Sequence, residues 1–339
     1  MSEPHPPGEQ PPPGEQVPPG EQPPSGQQPP GGQPPPVAWP ALVSGFCAIL
    51  GRPNVGKSTL MNAIVGVDVA VTTTVPGTTR HAIRGVAHLS DGQGCPRAQI
   101  VFVDTPGLHK PHTTLGSRMN DVARDQLGGV DVALLLVDAA AGIGRGDRFV
   151  AGLLADVPVP VLAVANKVDR LARARQLPVL AELAGLGEFE EIVPVSARTG
   201  EGLDTLTGLI VDRLPQGPAY FPADMTSDQP LTRVLAERIR GHAIVRMREE
   251  VPHSVAVVVE EVRAGDREDV RVVDAVLYVE RESQRGIVIG RAGKVLAEIG
   301  TAARADLEAI LGTRVFLDLR VKLMKDWQRD PKALDRLGY

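Results

Sequence analysis

A glycine-rich stretch in the first half of the chain has the residue types that bind phosphate. It reads Gly51-Arg-Pro-Asn-Val-Gly-Lys-Ser58 and lies between the apolar run Phe46–Leu50 and a predicted helix. Glycines let backbone N–H groups turn toward phosphate oxygens, and the N-terminus of the next helix adds a favourable dipole. In this strand–loop–helix context we expect Lys57 to bridge the β- and γ-phosphates of a nucleotide and Ser58 to ligate Mg²⁺.

A second motif supplies groups for the same phosphates. Asp104-Thr-Pro-Gly107 follows the apolar run Ile100–Val103. We expect Asp104 to hold the Mg²⁺ shell through a water molecule and the N–H of Gly107 to contact the γ-phosphate. The loop that begins here and extends to Pro111 is the predicted second switch.

The predicted first switch lies between these motifs, at Pro76-Gly-Thr-Thr-Arg-His81. A threonine hydroxyl here would complete the Mg²⁺ shell only when a γ-phosphate is present, and we assign that role to Thr79 rather than Thr78.

Two later motifs indicate which base is read. Asn166-Lys-Val-Asp169 follows the run Val161–Ala165, and Ser196-Ala-Arg198 follows Ile192–Val195. The Asp169 carboxylate can accept from the N1 and N2 donors of guanine, which adenine lacks. A backbone N–H at Ala197 would lie near guanine O6. Four motifs in order, each after a strand, predict a GTP site.

The residue after Gly107 is Leu108, where many GTPases place a water-orienting glutamine. A leucine cannot polarise water, so slow intrinsic hydrolysis is expected unless another group helps. Asn54 is a candidate to orient a K⁺ ion against the phosphates. The predicted catalytic group is Asn54, Lys57, Thr79 and Gly107, and the predicted Mg²⁺ ligands are Ser58, Thr79 and Asp104. The full predicted nucleotide contacts are Gly51, Arg52, Pro53, Asn54, Val55, Gly56, Lys57, Ser58, Thr59, Asp104, Thr105, Pro106, Gly107, Leu108, Asn166, Lys167, Asp169, Ser196 and Ala197.

These motifs require a scaffold of parallel strands. Short, nearly continuous apolar runs alternate with helical stretches over residues 44–214. Such runs are typical of parallel strands covered on both faces, and ligands of these sheets bind beyond the carboxyl ends of the strands. We therefore predict a doubly wound α/β domain with a mostly parallel sheet.

The rest of the chain is organised differently. Residues 1–36 hold 15 of the 31 prolines and almost nothing apolar, which predicts a disordered, partly polyproline-II tail. Residues 215–230 are proline-rich and are predicted to be a linker. Residues 231–326 have the order helix-strand-strand-helix-helix-strand, typical of a smaller α+β domain, and residues 327–339 form a C-terminal tail.

The smaller domain contains a Gly-x-x-Gly loop, Gly290-Arg-Ala-Gly293, between strand 270–280 and a helix at about 293–311. Glycines allow close approach to a single-stranded phosphodiester, and Arg291 and Lys294 add positive charge. A KH loop clamps about four nucleotides in this way, and the element order is that of a type II KH domain. The predicted RNA contacts are Gly290, Arg291, Ala292, Gly293 and Lys294.

Composition limits the remaining choices. The net charge of −5 includes four Glu and no Lys or Arg in residues 1–36, so whole-chain charge neither supports nor excludes RNA binding. The two cysteines, Cys47 and Cys95, cannot form a disulfide framework, which fits a reducing cytosol. No apolar run approaches the ~18 residues of a membrane-spanning helix. We therefore expect a cytoplasmic protein.

Together these motifs resemble the Era family of bacterial GTPases over residues 44–339: the phosphate loop, Thr-Thr-Arg-His, Asp-Thr-Pro-Gly-Leu-His, Asn-Lys-Val-Asp, Ser-Ala-x-Thr-Gly and a KH domain. The end of the chain, from Trp327 to Tyr339, is similar to that family's terminus. The approach to the first switch, Thr72–Gly77, departs from the family pattern. The nucleotide contacts carried over are Asn54, Lys57, Ser58, Thr79, Asp104, Gly107, Asn166, Asp169 and Ala197.

The resemblance implies a role in small ribosomal subunit assembly, with the KH domain binding near the 3′ end of small-subunit ribosomal RNA. It also implies dependence on Mg²⁺, a mainly cytoplasmic location and some peripheral membrane association; no stable oligomer is expected. Two alternatives stay open at this point. The chain could be a passive RNA-binding assembly factor with a structural nucleotide, or a membrane-associated signalling GTPase whose second domain docks a protein.

Overall fold

The polar motifs of the first domain are brought together by one six-stranded sheet. Its strand order is β2-β3-β1-β4-β5-β6, and every neighbouring pair is parallel except β2 and β3. Asp104 pairs with Ile49 and Asn166 pairs with Asp138, so the carboxyl ends of the strands lie side by side. The strands are β1 Val43–Leu50, β2 Ile83–Ser90, β3 Pro96–Asp104, β4 Val132–Asp138, β5 Val161–Asn166 and β6 Glu191–Pro194.

The computed structural model describes most of both domains. The predicted disordered tail, Cys95 and parts of both predicted switches lie outside the described residues, which are 42–73, 75, 78–91, 96–108, 111, 113–247 and 251–339. These residues belong to one compact unit, Pro40–Tyr339.

Helices cover both faces of the sheet. One apolar cluster packs under α1 and α5 and includes Leu60, Phe102 and Leu206. A second packs under α3 and α4 and includes Leu135 and Val150. Burial on both faces explains why the strands are continuously apolar, and the predicted doubly wound fold is confirmed. The helices of this domain are α1 Lys57–Val65, α2 Thr114–Asp125, α3 Arg145–Leu154, α4 Arg173–Ala184 and α5 Leu203–Val211.

The antiparallel strand β2 was not among the predicted strands. Its sequence, Ile83-Arg-Gly-Val-Ala-His-Leu-Ser90, mixes apolar with polar and charged residues. Such a pattern fits an edge strand, and β2 lies at the edge of the sheet. Because β2 has no continuous apolar run, its sequence does not mark it as a strand.

The second domain has a three-stranded sheet of order β7-β8-β9, with β7 antiparallel and β9 parallel to β8. Its core includes Ile239 on α6, Val273 on β8 and Ile299 on α8. The predicted order of a type II KH domain is confirmed. The elements are α6 Leu231–Arg246, β7 Ala256–Ala264, β8 Val270–Val279, α7 Glu282–Ile289, α8 Lys294–Leu311 and β9 Arg314–Leu323.

One local expectation in this domain was wrong. The glycine-rich loop does not follow β8 directly, because the short helix α7 comes between them. Gln284 caps this helix by accepting from the backbone N–H groups of Glu280 and Arg281, at 2.9 and 3.1 Å. The loop therefore joins two helices, as the element order itself requires.

The C-terminal segment is folded onto both domains. Trp327 is fully buried, and helix α9 (Pro331–Leu337) follows it. Trp327 and Leu334 share one apolar cluster with Tyr278 of β8 and with Met119 of α2. Arg118 of α2 also donates to the main-chain oxygen of Tyr339 at 2.7 Å. The helix after the second switch is thus in contact with the KH domain through this segment.

The predicted linker is anchored to the first domain. The Gln99 side-chain oxygen accepts from the N–H groups of Tyr220 and Phe221, at 2.7 and 3.0 Å. The edge strand β2 uses Val86 N–H to donate to Thr226 O at 2.8 Å, and Arg84 pairs with Asp228 at 2.8 Å. This segment protects the exposed edge of the sheet from pairing with other chains.

Among the described helices none is long and apolar enough to cross a membrane. Cys47 lies fully buried in β1, where burial, with a smaller contribution from Asp131, raises the pKa of its thiol well above the ordinary value. It is a residue of the apolar core of the first domain.

Candidate nucleotide site and RNA-binding loop

The phosphate loop runs from the end of β1 to the start of α1 and depends on Gly56. This glycine has a φ of 103°, and a Cβ there would overlap the side-chain amide of Asn166. Only glycine fits this backbone without strain. Lys57 closes the loop from inside, donating to Gly51 O and Arg52 O at 3.1 and 3.2 Å. Burial lowers the pKa of Lys57, and the neighbouring Asp104 partly opposes that shift.

Three oxygen-bearing side chains meet beside the loop, from β3, α1 and the first switch. Ser58 Oγ donates to Asp104 Oδ2 at 2.5 Å and lies 3.0 Å from Thr79 Oγ1. Thr79 Oγ1 donates to the same Oδ2 at 3.4 Å. The structure therefore brings together all three predicted Mg²⁺ ligands, although they are far apart in sequence.

The Asp104 carboxylate supports a cation at this point. It is fully buried, and its second oxygen, Oδ1, has no hydrogen-bond partner within the described part of the chain. Burial raises the pKa of Asp104, while Lys57 and the two hydroxyls lower it. A buried carboxylate oxygen without a partner is costly, and hard oxygen donors are what Mg²⁺ prefers. The residues present fit Mg²⁺.

The second switch is packed onto the phosphate loop. A Cβ at Gly107 would lie 2.8 to 2.9 Å from atoms of Pro53, so only glycine allows this approach. Leu108 donates its N–H to Gly51 O at 3.2 Å, and its side chain is buried in the sheet core. Thr105 donates to Ile49 O at 2.8 Å. Leu108 thus contributes its backbone, and no water-orienting side chain, at this position.

The base-reading motifs are joined to each other and to the phosphate loop. Asn166 donates to Val55 O at 2.8 Å and accepts from the Ala197 N–H at 3.0 Å. Ser196 Oγ donates to Asp169 at 2.8 Å, which fixes the carboxylate expected to read guanine. Because the Ala197 N–H is donated to Asn166, its predicted contact with guanine O6 has a competitor and stays a prediction.

A pocket of about 340 Å³ lies beside the phosphate loop, and its lining does not include Asp104, Asp169 or Ala197. It is lined by the phosphate loop, by Thr79 and Gly107 of the two switches, and by Lys167. Lys167 is held by Asp138 at 2.7 Å and by Asn54 O at 2.6 Å. The pocket also includes residues that the sequence prediction missed, among them Val71, Thr72, Thr73 and Arg170.

Arg52, a predicted nucleotide contact, also has a structural role. Arg52 is predicted to contact the nucleotide, but its guanidinium pairs with the fully buried Asp147 at 2.9 Å. Asp147 also accepts from the Gly144 N–H and so begins helix α3. Arg52 therefore ties the phosphate loop to α3. No local motif marks Asp147, and only the fold brings it here.

The KH loop connects α7 to α8 with three residues in positive φ. Gly290, Ala292 and Gly293 have φ values of 74°, 52° and 77°. A Cβ at Gly290 would overlap Val295, whereas one at Gly293 would meet nothing within 4 Å. Gly290 is therefore needed for packing, and Gly293 leaves space for a ligand backbone. Arg291 and Lys294 are exposed beside it.

A groove of about 440 Å³ leads from this loop between α8 and β9. Its helical wall has small residues, Ala297 and Gly300, and Arg304 at its far end; its other wall includes Phe316, which is 61% exposed. Small residues at helical spacing allow an extended strand to lie close, and an exposed aromatic ring offers a stacking surface. The sequence prediction named the loop and missed this groove, although the spacing of Gly293, Ala297 and Gly300 was readable.

Comparisons with known proteins agree with this geometry. Residues 46–167 match the family described as 50S ribosome-binding GTPase, and residues 250–328 match the KH domain family. The chain is 49% identical over 302 residues to the GTPase Era of Mycolicibacterium smegmatis, covering 87% of this chain and 98% of that protein. It is 48% identical over 304 residues to the GTPase Era of Mycobacterium bovis, with the same coverage.

Two solved structures are similar across both domains. A crystal structure of Era with MgGDPNP and nucleotides 1506–1542 of 16S ribosomal RNA aligns with a TM-score of 0.84 at 39% identity, covering 88% of this chain and 99% of that one. The Aquifex aeolicus Era variant Y63A bound to GDP and AlF4⁻ aligns with a TM-score of 0.83, also at 39% identity, with the same coverage. From its phosphate loop to its C-terminal segment, the chain belongs to the Era family of GTPases.

Proposed function

We propose that this GTPase is a switch that binds small-subunit ribosomal RNA near its 3′ end and assists assembly of the small ribosomal subunit. The observation that carries the proposal is the meeting of Ser58, Thr79 and Asp104 beside the phosphate loop, in a chain whose second domain has the KH loop and groove. The related Era structure with MgGDPNP and a 16S RNA fragment supports it.

In the first domain, we assign the γ-phosphate environment to three groups. Lys57 would bridge the β- and γ-phosphates, the Gly107 N–H would donate to the γ-phosphate, and Thr79 would approach when that phosphate is present. Ser58 and Thr79 would hold Mg²⁺ directly and Asp104 through a water molecule. The ion, when bound, neutralises charge on the β- and γ-oxygens. Asp169, already oriented by Ser196, would accept from guanine N1 and N2.

Catalysis in this arrangement rests on positioning and on charge stabilisation. The Leu108 side chain is buried, so no side chain at that position orients the attacking water. We propose that Asn54, which has a φ of 66° and is exposed in the phosphate loop, helps to hold a K⁺ ion against the phosphates. Such an ion would supply positive charge where other GTPases use an arginine.

In the second domain, we assign RNA binding to the KH loop and its groove. The Gly293 backbone would face the phosphodiester, with Arg291 and Lys294 adding attraction. The bases would then enter the groove between α8 and β9, where Phe316 is exposed. This assignment favours the RNA-binding switch over the alternative in which the second domain docks a protein.

The proposal is tested by RNA affinity in two nucleotide states. The full chain is titrated with a 3′-terminal oligoribonucleotide of small-subunit RNA, in the presence of Mg²⁺ and either GDP or a non-hydrolysable GTP analogue. We expect at least about fivefold tighter binding with the analogue, since coupling between sites is typically worth 1–3 kcal/mol. Equal affinities would support the passive assembly factor instead.

Two glycine variants locate the RNA. Gly293→Asp places a negative charge at the loop, and we expect affinity to fall about tenfold or more through repulsion of phosphate. Gly312→Asp is the matched control, because Gly312 also has positive φ (64°) and open space, and ends the same 18-residue helix about 27 Å away. Equal losses in both variants, or none, would remove the KH loop from the account.

The cellular location is also part of the proposal. The family resemblance supports a cytoplasmic protein with peripheral contact at the inner membrane face and no stable oligomer. Fractionation of cells at low and high salt, with sedimentation of the purified chain, tests this. We expect most of the protein in the soluble fraction, a salt-releasable remainder, and monomeric sedimentation.

A further inference from the structure

The part of the first switch around Thr79 is buried against the second domain. Arg80, the next residue, is only 6% exposed. Its guanidinium donates to Val255 O at 2.7 Å, to His253 O at 2.8 Å and to the Tyr339 hydroxyl at 3.2 Å. All three acceptors follow α6 in sequence and belong to the KH domain or to the C-terminal segment.

Aromatic rings enclose the same guanidinium. It lies 5.4 Å from the ring centroid of Trp327 and 5.6 Å from that of Tyr339, within the range of cation–π attraction. His81 stacks on Tyr339 with ring centroids 4.8 Å apart. Residues on the C-terminal side of Thr79 are thus fixed by the other domain.

Residues on the N-terminal side of Thr79 are fixed by α6. The Arg240 side chain is 1% exposed; it donates to Thr78 O and pairs with Glu237 one turn earlier. Gly241 packs so closely on Val71, a residue of the nucleotide pocket, that a Cβ there would lie 2.6 Å from its methyl group. A buried charged group that binds a backbone carbonyl holds that carbonyl strongly.

We propose that Arg80 and Arg240 are positioning residues for Thr79. Together they form a clamp that fixes the backbone on both sides of Thr79 and so holds its hydroxyl beside Ser58 and Asp104. Neither arginine would touch nucleotide or metal. The KH domain and C-terminal segment thereby complete the Mg²⁺ site of the first domain from outside. This inference rests on the proposed role of Thr79 as a ligand of Mg²⁺ in the GTP state.

The clamp has a reciprocal consequence. If docking of the second domain onto the first positions Thr79 and so strengthens the binding of GTP with Mg²⁺, then binding of GTP with Mg²⁺ must strengthen docking by the same free energy. Thr79 is expected to contact Mg²⁺ only when a γ-phosphate is present. GDP has no γ-phosphate, so GDP would favour docking less than GTP does. The contact between switch and KH domain is therefore where the two activities of the chain are expected to be coupled.

The experiment measures the Mg²⁺ concentration needed to bind a fluorescent non-hydrolysable GTP analogue to the full chain. We expect Arg240→Gln to raise the half-saturating Mg²⁺ concentration about tenfold, because loss of a residue that orients a metal ligand typically costs 10–100-fold in metal affinity. Arg240→Lys should recover part of the effect. Binding of GDP should change little, which separates this role from general damage to the fold.

The matched control is Arg238→Gln. Arg238 lies on the same helix and also crosses to the first domain, but it donates to Asp68 O, ten residues before Thr78. It should leave the Mg²⁺ requirement unchanged. Circular dichroism, together with Trp327 emission in a Trp39→Phe background, checks that each variant is folded. An unchanged Mg²⁺ requirement in Arg240→Gln, or an equal shift in Arg238→Gln, would overturn the inference.

Thr79→Ala separates this inference from the function on which it rests. If Thr79→Ala alone leaves Mg²⁺-dependent binding of the analogue unchanged, the assigned role of Thr79 is wrong, and the clamp has nothing to position. If Thr79→Ala has its expected effect, adding Arg240→Gln should cause no further change, because both act on one ligand. Additive effects would show that Arg240 acts elsewhere and would contradict the proposal.

Discussion

At the scale of single residues, the GTPase site combines ordinary side chains with one notable substitution. Ser58 and Thr79 both donate to Oδ2 of the Asp104 carboxylate. The other oxygen, Oδ1, has no hydrogen-bond partner among the described groups. Leu108, in contrast, turns its side chain into the core and offers only its N–H to the phosphate loop. The site is therefore well equipped to bind Mg²⁺ and nucleotide, and poorly equipped to activate water.

The residue-scale prediction concerns the cation that would compensate. We expect GTP hydrolysis by the full chain to be at least about tenfold faster in KCl than in NaCl at equal ionic strength, since Na⁺ is too small to bridge the same oxygens. A positive charge at this point, supplied by an arginine in other GTPases, raises the hydrolysis rate by about 10³–10⁵-fold. Asn54→Ala, compared with the unmodified chain at saturating GTP, should remove the difference between the two salts. Equal rates in the two salts would end the K⁺ proposal.

Individual residues also show what a sequence can and cannot predict. Lys57, Ser58 and Asp104 were identifiable because each lies in a short motif after a strand, and the fold brings them together as expected. The partner of Arg52, Asp147, could not be identified from the sequence, because it lies 95 residues away and belongs to no motif. Pairing that depends on the packing of distant elements leaves no local signal.

Among the helices and strands, too, some could be predicted from the sequence and others could not. Strands β1, β3 and β5 were predicted because burial on both faces makes them continuously apolar. The edge strand β2 was missed because it mixes polar residues with apolar ones. The eight-residue helix α7 belongs to the predicted order but was not located, because it is short and lies next to a glycine-rich loop. The second domain was identified as a KH domain from the order of its helices and strands, and an error in the position of one short helix does not change that order.

The element-scale prediction concerns the two glycines of the KH loop. Gly290→Ala should lower the free energy of unfolding by about 2–4 kcal/mol, because the new methyl group overlaps Val295 and the positive φ adds strain. Gly293→Ala meets open space and should cost only about 1 kcal/mol, from strain alone. Urea denaturation followed by circular dichroism measures both. A larger loss in Gly293→Ala would mean that the loop packs differently.

At the scale of the whole molecule, the KH domain is more than an appended RNA-binding module. Its helix α6 and the segment around Trp327 contact the first switch, and the same segment contacts α2 beyond the second switch. These contacts join residues as distant as Arg80 and Tyr339, so no sequence window could have predicted them. They give the two domains a shared surface at the predicted switches.

The whole-molecule prediction uses Cys47 as a reporter. In a Cys95→Ser background this thiol is the single cysteine, and because burial raises its pKa it should react with iodoacetamide only when the first domain unfolds. GDP and Mg²⁺ at 100 times the dissociation constant should slow labelling about 100-fold, the factor expected when ligand binds only the folded state. Unfolded protein in urea is the positive control. Rapid labelling of the folded chain would contradict the burial of Cys47, and no effect of GDP would mean that nucleotide does not stabilise the folded first domain.

The anchored segment before α6 determines how the KH domain can move. Residues 215–228 are bonded first to β1 and then to β3 and β2, and α6 begins at Leu231, so only two residues, Gln229 and Pro230, separate the anchored chain from the helix. A connection this short permits rotation about a fixed point and forbids sliding or wide separation. If the RNA-binding domain leaves the first switch, this connection would restrict the motion to a swing about Pro230, with a large arc at the far end of the KH domain and little movement at its near end.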